Sequence, residues 1–380
     1  MRLLLFPLLA SLGFAAPLPE VPNPLKQADG KVITTKEEWE KSLRAETLQL
    51  FRENIYGVTP IGKPADFKST VVKETPDASD GKATIKEIEI SFTTPKGERK
   101  IRPVIALPNG KDKPVPAFLL IINRSPKLLD PANPNEFFPM KEITARGYAA
   151  VAFHYGDVDI DKKDGYANGV RAQYDPETPA ANAWGSIAAW AWGASRVMDH
   201  LETEPRIDKT RVAVIGHSRG GKTALWAGAE DQRFAMAISN DSGCTGAAIT
   251  RGKWGEHVAD INRVFPHWFS ANYKKFNDKE DELPVDQHQL VGLIAPRLAY
   301  VASAEKDGWA DPRSEFRSCY ESAPVYALYG LETVKTKKFP AVNTPLHEGQ
   351  VGYHVRPGDH NLILTDWNYF MDFADAKWPR

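Results

Sequence analysis

One stretch constrains this chain more than any other: Arg211 to Asp231, RVAVIGHSRGGKTALWAGAED. It opens on an apolar, β-branched run, Val212 to Ile215, which reads as a buried strand. It breaks at Gly216-His217-Ser218-Arg219-Gly220 and resumes from Lys222 as a helical pattern. Strand, G-x-S-x-G turn and helix in that order form a nucleophile elbow. The glycines let the backbone turn sharply without a Cβ clash, so that the Ser218 hydroxyl stands above the sheet. The helix start behind it offers free N–H groups to a developing oxyanion. A tight glycine turn that only packs helix on strand would explain the glycines but not a serine at the apex.

The rest of the chain is consistent with such a turn set in a large α/β domain. Strands are expected at Ala83–Phe92, Lys100–Leu107, Val115–Ile122, Tyr148–Phe153, Phe234–Asn240 and Arg297–Ala304. Helices are expected at Thr35–Asn54, Phe137–Arg146, Asn182–Leu201, Asp311–Leu331 and Asp366–Ala376. Alternation of strand and helix implies a mainly parallel sheet with helices on both faces, a three-layer α/β-hydrolase fold. Two long excursions interrupt it, Gly156–Ala181 and Gly243–Pro296. Loops of that length inside a compact domain are usually functional, and both leave strand C-terminal ends, where open α/β sheets bind ligands.

Residues 1–16, MRLLLFPLLASLGFAA, read as a signal peptide: a basic residue, an apolar run and small residues at the cut. The expectation is an exported, soluble, monomeric protein whose residues 17–380 form one catalytic domain. With a net charge of −1 and no basic stripe, the chain has no field that favours nucleic acid or an anionic membrane. Two cysteines, Cys244 and Cys319, are too few for a metal knuckle; export would permit one bridge between them. The histidines lack metal-ligand spacing, so no metal or cofactor is expected.

Ser218 needs a base, and the base needs an orienting acid. In this fold the chain order is Ser, acid, His. Of the late histidines, His360 lies in a turn, Arg-Pro-Gly-Asp-His-Asn, just before the last helix and is the expected base. His354 lies in a strand-like stretch where it would pack or bond locally, and His347 is the third option. Two acids compete, Asp241 after the strand that follows the elbow and Asp307 after a late strand. Either could hold His360, or both could touch it. Asp311 reads as a helix N-cap. The Arg219 backbone N–H should face the oxyanion, and its guanidinium could add charge there or pair at the surface. Lys222, one helical turn after Ser218, either lies near the same cleft or is solvated.

Several separated motifs together resemble one family. Gly-His-Ser-Arg-Gly-Gly-Lys (216–222) and Asn-Asp-Ser-Gly-Cys-Thr-Gly-Ala-Ala (240–248) resemble the glucuronoyl esterases of carbohydrate esterase family 15. So do Phe-Pro-His-Trp-Phe (265–269), Asp-Gln-His-Gln-Leu (286–290), Leu-Ile-Ala-Pro-Arg (293–297) and Ala-Glu-Lys-Asp-Gly-Trp-Ala-Asp-Pro (304–312). The resemblance implies a serine esterase cleaving esters between 4-O-methyl-glucuronic acid on xylan and lignin alcohols. It implies Ser218 as nucleophile, His360 as base, Asp241 and Asp307 as two acids near that histidine, and Arg219 as the oxyanion arginine. It implies Lys222, Glu256 and Trp309 as contacts to the sugar. Fungal members carry cysteines where this chain has His217 and Asn361, so their bridge is absent here. A second reading on the same fold is an acetyl xylan or other carbohydrate esterase. A peptidase is possible for this fold, but no propeller-like repeat domain is read before it. A reading of another class is a carbohydrate-binding protein with an inactive triad.

Overall fold

In the computed structural model, residues 18–163 and 168–378 are described. The expected signal peptide, 1–16, lies outside them. Among the described residues ten strands form one sheet: β1 Lys68–Asp77, β2 Ala83–Thr94, β3 Gly97–Ile101, β4 Val104–Pro108, β5 Val115–Ile122, β6 Ala149–His154, β7 Ile207–His217, β8 Met236–Asn240, β9 Leu298–Ala304 and β10 Val351–Arg356. Their order is β1-β2-β4-β6-β5-β7-β8-β9-β10, with β3 also on β2. The first four pair antiparallel, and β4 joins β6 antiparallel. From β6 to β10 every pairing is parallel.

The sheet is buried on both sides because its central strands are apolar on both. In β5, Ala117, Leu119 and Ile121 join one core, with helices α1 (Ser186–Leu201) and α2 (Arg219–Glu230). Phe118, Leu120 and Ile122 join the other, with Trp367, Phe370 and Phe373 of the C-terminal helix. A strand presents alternate residues to opposite faces, so a continuous apolar run fits only a sheet covered twice. That is the three-layer arrangement expected from the sequence. The chain runs from β5 outward to β6, then back across to β7, so the strand order reverses beside β7. A crevice opens at the strand C-terminal ends at such a point, and Ser218 follows β7 there.

The sequence reading placed most elements and missed some boundaries. Proline explains several misses. The expected helix from Phe137 starts only at Met140, because Pro139 holds the residue before it out of the helical region. The expected helix Asp311–Leu331 is two pieces, α3 (Pro312–Glu321) and Ala323–Ala327, with Pro324 at the break. The returning strand splits at Arg102-Pro103 into β3 and β4, each on a different half of β2. Strand β1 was not anticipated; it is a mostly exposed edge with no apolar alternation to betray it. Cys244 and Cys319 are buried free thiols rather than a bridge. None of the helices among the described residues is long and apolar enough to cross a membrane.

Helix α3 carries an acid into the core behind β8 and β9. Glu315 is fully buried and accepts from Ser303 Oγ at 2.6 Å and from the Gly243 N–H at 2.9 Å. Burial pushes its carboxyl up to about 7; these hydrogen bonds oppose the rise and the Asp307 charge adds to it. Between about pH 4.5 and 7 the folded state keeps a proton that the unfolded chain releases. This group therefore lowers stability as pH rises through that window. Glu315→Gln, which mimics the neutral acid, should gain about 1–2 kcal/mol over the parent at pH 8 and little at pH 5. Thermal midpoints of the two proteins at both pH values test this; parallel loss of Tm in both would contradict it.

Candidate active site

The elbow is built as the sequence requires. Ser218 has φ 56° and ψ −124°, a left-handed conformation that costs a non-glycine residue about 1–3 kcal/mol. Its own N–H donates to the Asn240 carbonyl of β8 at 2.8 Å, which fastens the strained residue to the sheet. Gly216 has no room for a side chain: a Cβ there would lie 2.0 Å from the Gly220 carbonyl oxygen. Helix α2 starts at Arg219, directly behind the serine.

His360 comes to the elbow from the turn after β10. Its ring centroid lies 4.4 Å from that of His217, the residue before Ser218. Its Nδ1 is 2.6 Å from Asp307 Oδ2, while Asp307 Oδ1 accepts from the Ala310 N–H. With Nδ1 engaged, Nε2 is the nitrogen left for proton transfer. The two loops are tied together by backbone bonds, Glu305 N–H to the Arg356 carbonyl and Lys306 N–H to that of Gly358.

Asp241 stands beside this pair without bonding to the imidazole. Its Oδ1 accepts from the Ala304 N–H at 2.6 Å, and its Oδ2 from Arg356 Nη2 and the Asn361 N–H, both at 3.3 Å. Burial pushes its carboxyl well above the usual range, as do the charges of Glu315 and Asp366, while Arg356 opposes them. One donor atom from each of Asp241, Asp307 and His360 lies within 4.8 Å of the others. Both oxygens of Asp241 face N–H donors, and a guanidinium sits against them, so this is a hydrogen-bonded acid–base cluster rather than a cation cradle.

The other late histidines are elsewhere. His354 is fully buried between Tyr300 and Asp366, with ring nitrogens 3.0 and 2.9 Å from their oxygens. His347 Nε2 meets the hydroxyl of the same Tyr300. Asp311 caps α3, as read from the sequence.

Arg219 is held in a cage rather than free at the surface. Its guanidinium pairs with Asp161 and lies over the Trp268 ring, 4.7 Å from the centroid. Asp161 also accepts from Trp268 Nε1 at 2.7 Å and bonds His267 Nε2 at 2.8 Å. Burial pushes this carboxyl up, but His267, Arg219 and Trp268 together hold it below the usual range. The two long excursions thus meet here, Asp161 from the first and His267 and Trp268 from the second.

Lys222 is not solvated. It is buried, and its ammonium donates to the carbonyls of Ser242 and Cys244, 3.9 Å from Glu256 Oε2. Burial lowers its pKa and Glu256 opposes the shift. The Glu256 N–H donates to the Trp309 carbonyl, and Trp309 is 57% exposed, so this group reaches the rim. Sequence reasoning missed Asp161, His267, Trp268, Arg124 and Arg356. The last of these could have been suspected from its place four residues before His360, and His267 and Trp268 from the Phe-Pro-His-Trp-Phe motif that contains them; Asp161 and Arg124 carry no local signal.

Known proteins resemble this chain in sequence and in fold. A family model described as "Glucuronyl esterase, fungi" matches residues 90–330. Carbohydrate esterase MZ0003, from an unknown prokaryotic organism, is 38% identical over 93% of this chain and 89% of its own length. The solved glucuronoyl esterase from Solibacter usitatus is 36% identical, with a TM-score of 0.88 over 95% of this chain and 98% of that one. A CE15 glucuronoyl esterase from Teredinibacter turnerae T7901 is 29% identical, with a TM-score of 0.85 over 94% and 89%. The match of motif, whole-chain sequence and three-layer architecture means that this chain belongs to the glucuronoyl esterase family, carboxylic ester hydrolases on the α/β-hydrolase fold.

Proposed function

We propose that the chain is an exported serine esterase that hydrolyses 4-O-methyl-glucuronoyl esters, those joining glucuronoxylan to lignin alcohols, as one catalytic domain acting as a monomer after loss of residues 1–16. The observation that carries this reading is the strained Ser218 at the elbow with the His360–Asp307 pair beside it. Related proteins are named 4-O-methyl-glucuronoyl methylesterase, among them that of Hypocrea jecorina, 28% identical over 89% of this chain.

In this reading Ser218 Oγ attacks the uronate ester carbonyl while His360 Nε2 takes its proton. Asp307 keeps the other ring nitrogen protonated and oriented. Negative charge forms on the carbonyl oxygen, where the first N–H groups of α2 and the Arg219 guanidinium stabilise it. The bond to the alcohol breaks, and His360 returns the proton to that leaving oxygen. Water, deprotonated by His360, then attacks the acyl-enzyme carbonyl; the bond to Ser218 Oγ breaks, His360 returns the proton to that oxygen, and the free uronic acid leaves. Lys222 spends two of its three N–H donors on carbonyls. The third, with Glu256 and Trp309, is assigned to the sugar ring.

Benzyl 4-O-methyl-glucuronate should be cleaved far faster than a plain acetate ester; the reverse preference would favour the acetyl xylan esterase reading. On the glucuronate ester, Ser218→Ala should lower kcat at least about 1,000-fold with Tm preserved. Asp307→Asn should cost about 100-fold or more, because it faces the imidazole. Asp241→Asn should cost about 10-fold together with stability, because it holds Ala304, Arg356 and Asn361 instead. Equal kinetic losses from the two aspartates would mean that both orient the histidine.

A further inference from the structure

Arg124, in the loop after β5, belongs to neither the triad nor the proposed sugar contacts. Its guanidinium nevertheless touches both sides of the reaction centre. Nη2 lies 3.2 Å from His217 Nε2, and Nη1 donates to Asn361 Oδ1 at 2.8 Å. His217 precedes Ser218 and Asn361 follows His360. The guanidinium plane is packed over Phe137, 4.7 Å from its centroid, and the Arg124 carbonyl bonds His154 Nε2 at 2.9 Å. His217 is buried, with Nδ1 2.6 Å from Asn240 Oδ1. An arginine can only donate, so His217 Nε2 accepts and its Nδ1–H donates to Asn240. Burial holds His217 well below its usual pKa, and the His360 and Arg124 charges add to this. A neutral His217 in one tautomer thus passes the clamp on to β8.

From this geometry we propose that Arg124 is a positioning residue that clamps the nucleophile elbow to the base-bearing turn through His217 and Asn361. A planar fork holds two partners at a fixed separation, which a single ammonium cannot do. The inference rests on the assignment of Ser218 and His360. Arg124→Gln should lower kcat on benzyl 4-O-methyl-glucuronate about 10- to 100-fold with KM within about threefold, and Arg124→Lys should not restore it. Asn361→Ala should give a similar loss, and the double variant should be little worse than either single one. A fully multiplicative double variant, or an Arg124→Gln enzyme with parental kcat, would overturn the clamp. Should Arg124→Gln unfold, the same cycle is read with Arg124→Lys, which keeps the charge. Hydrolysis surviving in Ser218→Ala would instead sink the underlying assignment.

A separate observation concerns the rim. Trp254 and Trp309 are 82% and 57% exposed, and they are the aromatic members of the small set of large apolar side chains exposed among the described residues. They sit on two loops fixed to one another. Trp254 N–H donates to Asp311 Oδ2 at 2.8 Å, and Gly255 packs so tightly that a Cβ would lie 2.4 Å from the Trp309 carbonyl oxygen. Buried Lys253 donates to the carbonyls of Trp254 and Glu256. A rigid loop therefore holds an indole in water. Trp309 is two residues from Asp307 and Trp254 two from Glu256, about 7 Å of chain in each case.

We infer that Trp254 is a stacking platform for a neutral pyranose of the glycan that carries the uronate, on the Lys222–Glu256 side of the cleft. Ring CH faces stack on an indole, and the neighbouring sugar is the group that continues outward from a uronate held there. This too rests on the proposed function. The test compares benzyl esters of 4-O-methyl-glucuronate alone and of the same acid on xylotriose. In Trp254→Ala the ratio of kcat/KM, oligosaccharide over minimal ester, should fall about tenfold, mainly through KM. An unchanged ratio would overturn the platform. So would an equal loss when the minimal acid carries a bulkier aryl alcohol, which would place the aromatic leaving group there. A parent enzyme inactive on both esters would count against the proposed function instead.

Discussion

One buried guanidinium holds the catalytic end of the sheet together. Arg356, the last residue of β10, is 2% exposed in its side chain. Its Nε contacts both oxygens of Asp366, 3.0 and 2.9 Å away, and its Nη2 reaches Asp241. The same group donates to the carbonyls of Pro357, Asp359 and Asn361, which flank His360. A charge taken out of water is costly unless its donors are satisfied and an opposite charge is near. Here the first condition is met by the turn that carries His360, and the second by Asp366 and Asp241. That turn can therefore be short and irregular yet fixed, because its carbonyls serve as the solvation shell of the arginine.

The consequence runs outward from Asp241. Its side chain ties the end of β8 to Ala304 at the end of β9 and to Asn361 beside His360. The ends of β8, β9 and β10 are thus held at fixed separations: Asp307 follows β9, His360 follows β10, and Ser218, after β7, is bonded through its N–H to Asn240 at the end of β8. Asp241, Asp307, Asp366 and Glu315 crowd this end with acid. Glu315, shielded from water and raised to about 7, need not add a full charge near neutrality. The imidazole faces one carboxylate, Asp307, while Asp241 meets two backbone N–H groups and the Arg356 guanidinium. This division of labour between two acids follows from which donors each meets, not from their sequence positions.

Much of this was legible beforehand because it is local. The elbow needs glycine at 216, a serine at the apex and a helix behind it, and each requirement is written within a few residues. Five of the six parallel strands announce themselves as apolar runs, as strands buried on both faces do, and β10 shows only the alternation around His354. Proline decided the boundaries that were misjudged, at Pro139 and Pro324, because helical periodicity continues through residues that cannot donate. Strand β1 escaped because an exposed edge strand needs no apolar pattern. His354 was correctly set apart from His360 by its strand-like surroundings, and its burial against Asp366 is the outcome.

The glycine-flanked turn at Ser218, the parallel α/β core and a turn holding His360 before the last helix could be read from the chain alone, since these depend on backbone conformation and apolar periodicity within short windows. Only the tertiary structure decided which aspartate faces the imidazole, that Arg219 is caged by Asp161 and Trp268, that Lys222 is buried, and that Arg124 bridges His217 and Asn361. Those contacts join residues from 20 to 237 positions apart in the chain. Hydrogen-bond geometry at about 3 Å is set by how strands and loops pack, and no spacing along the chain encodes it.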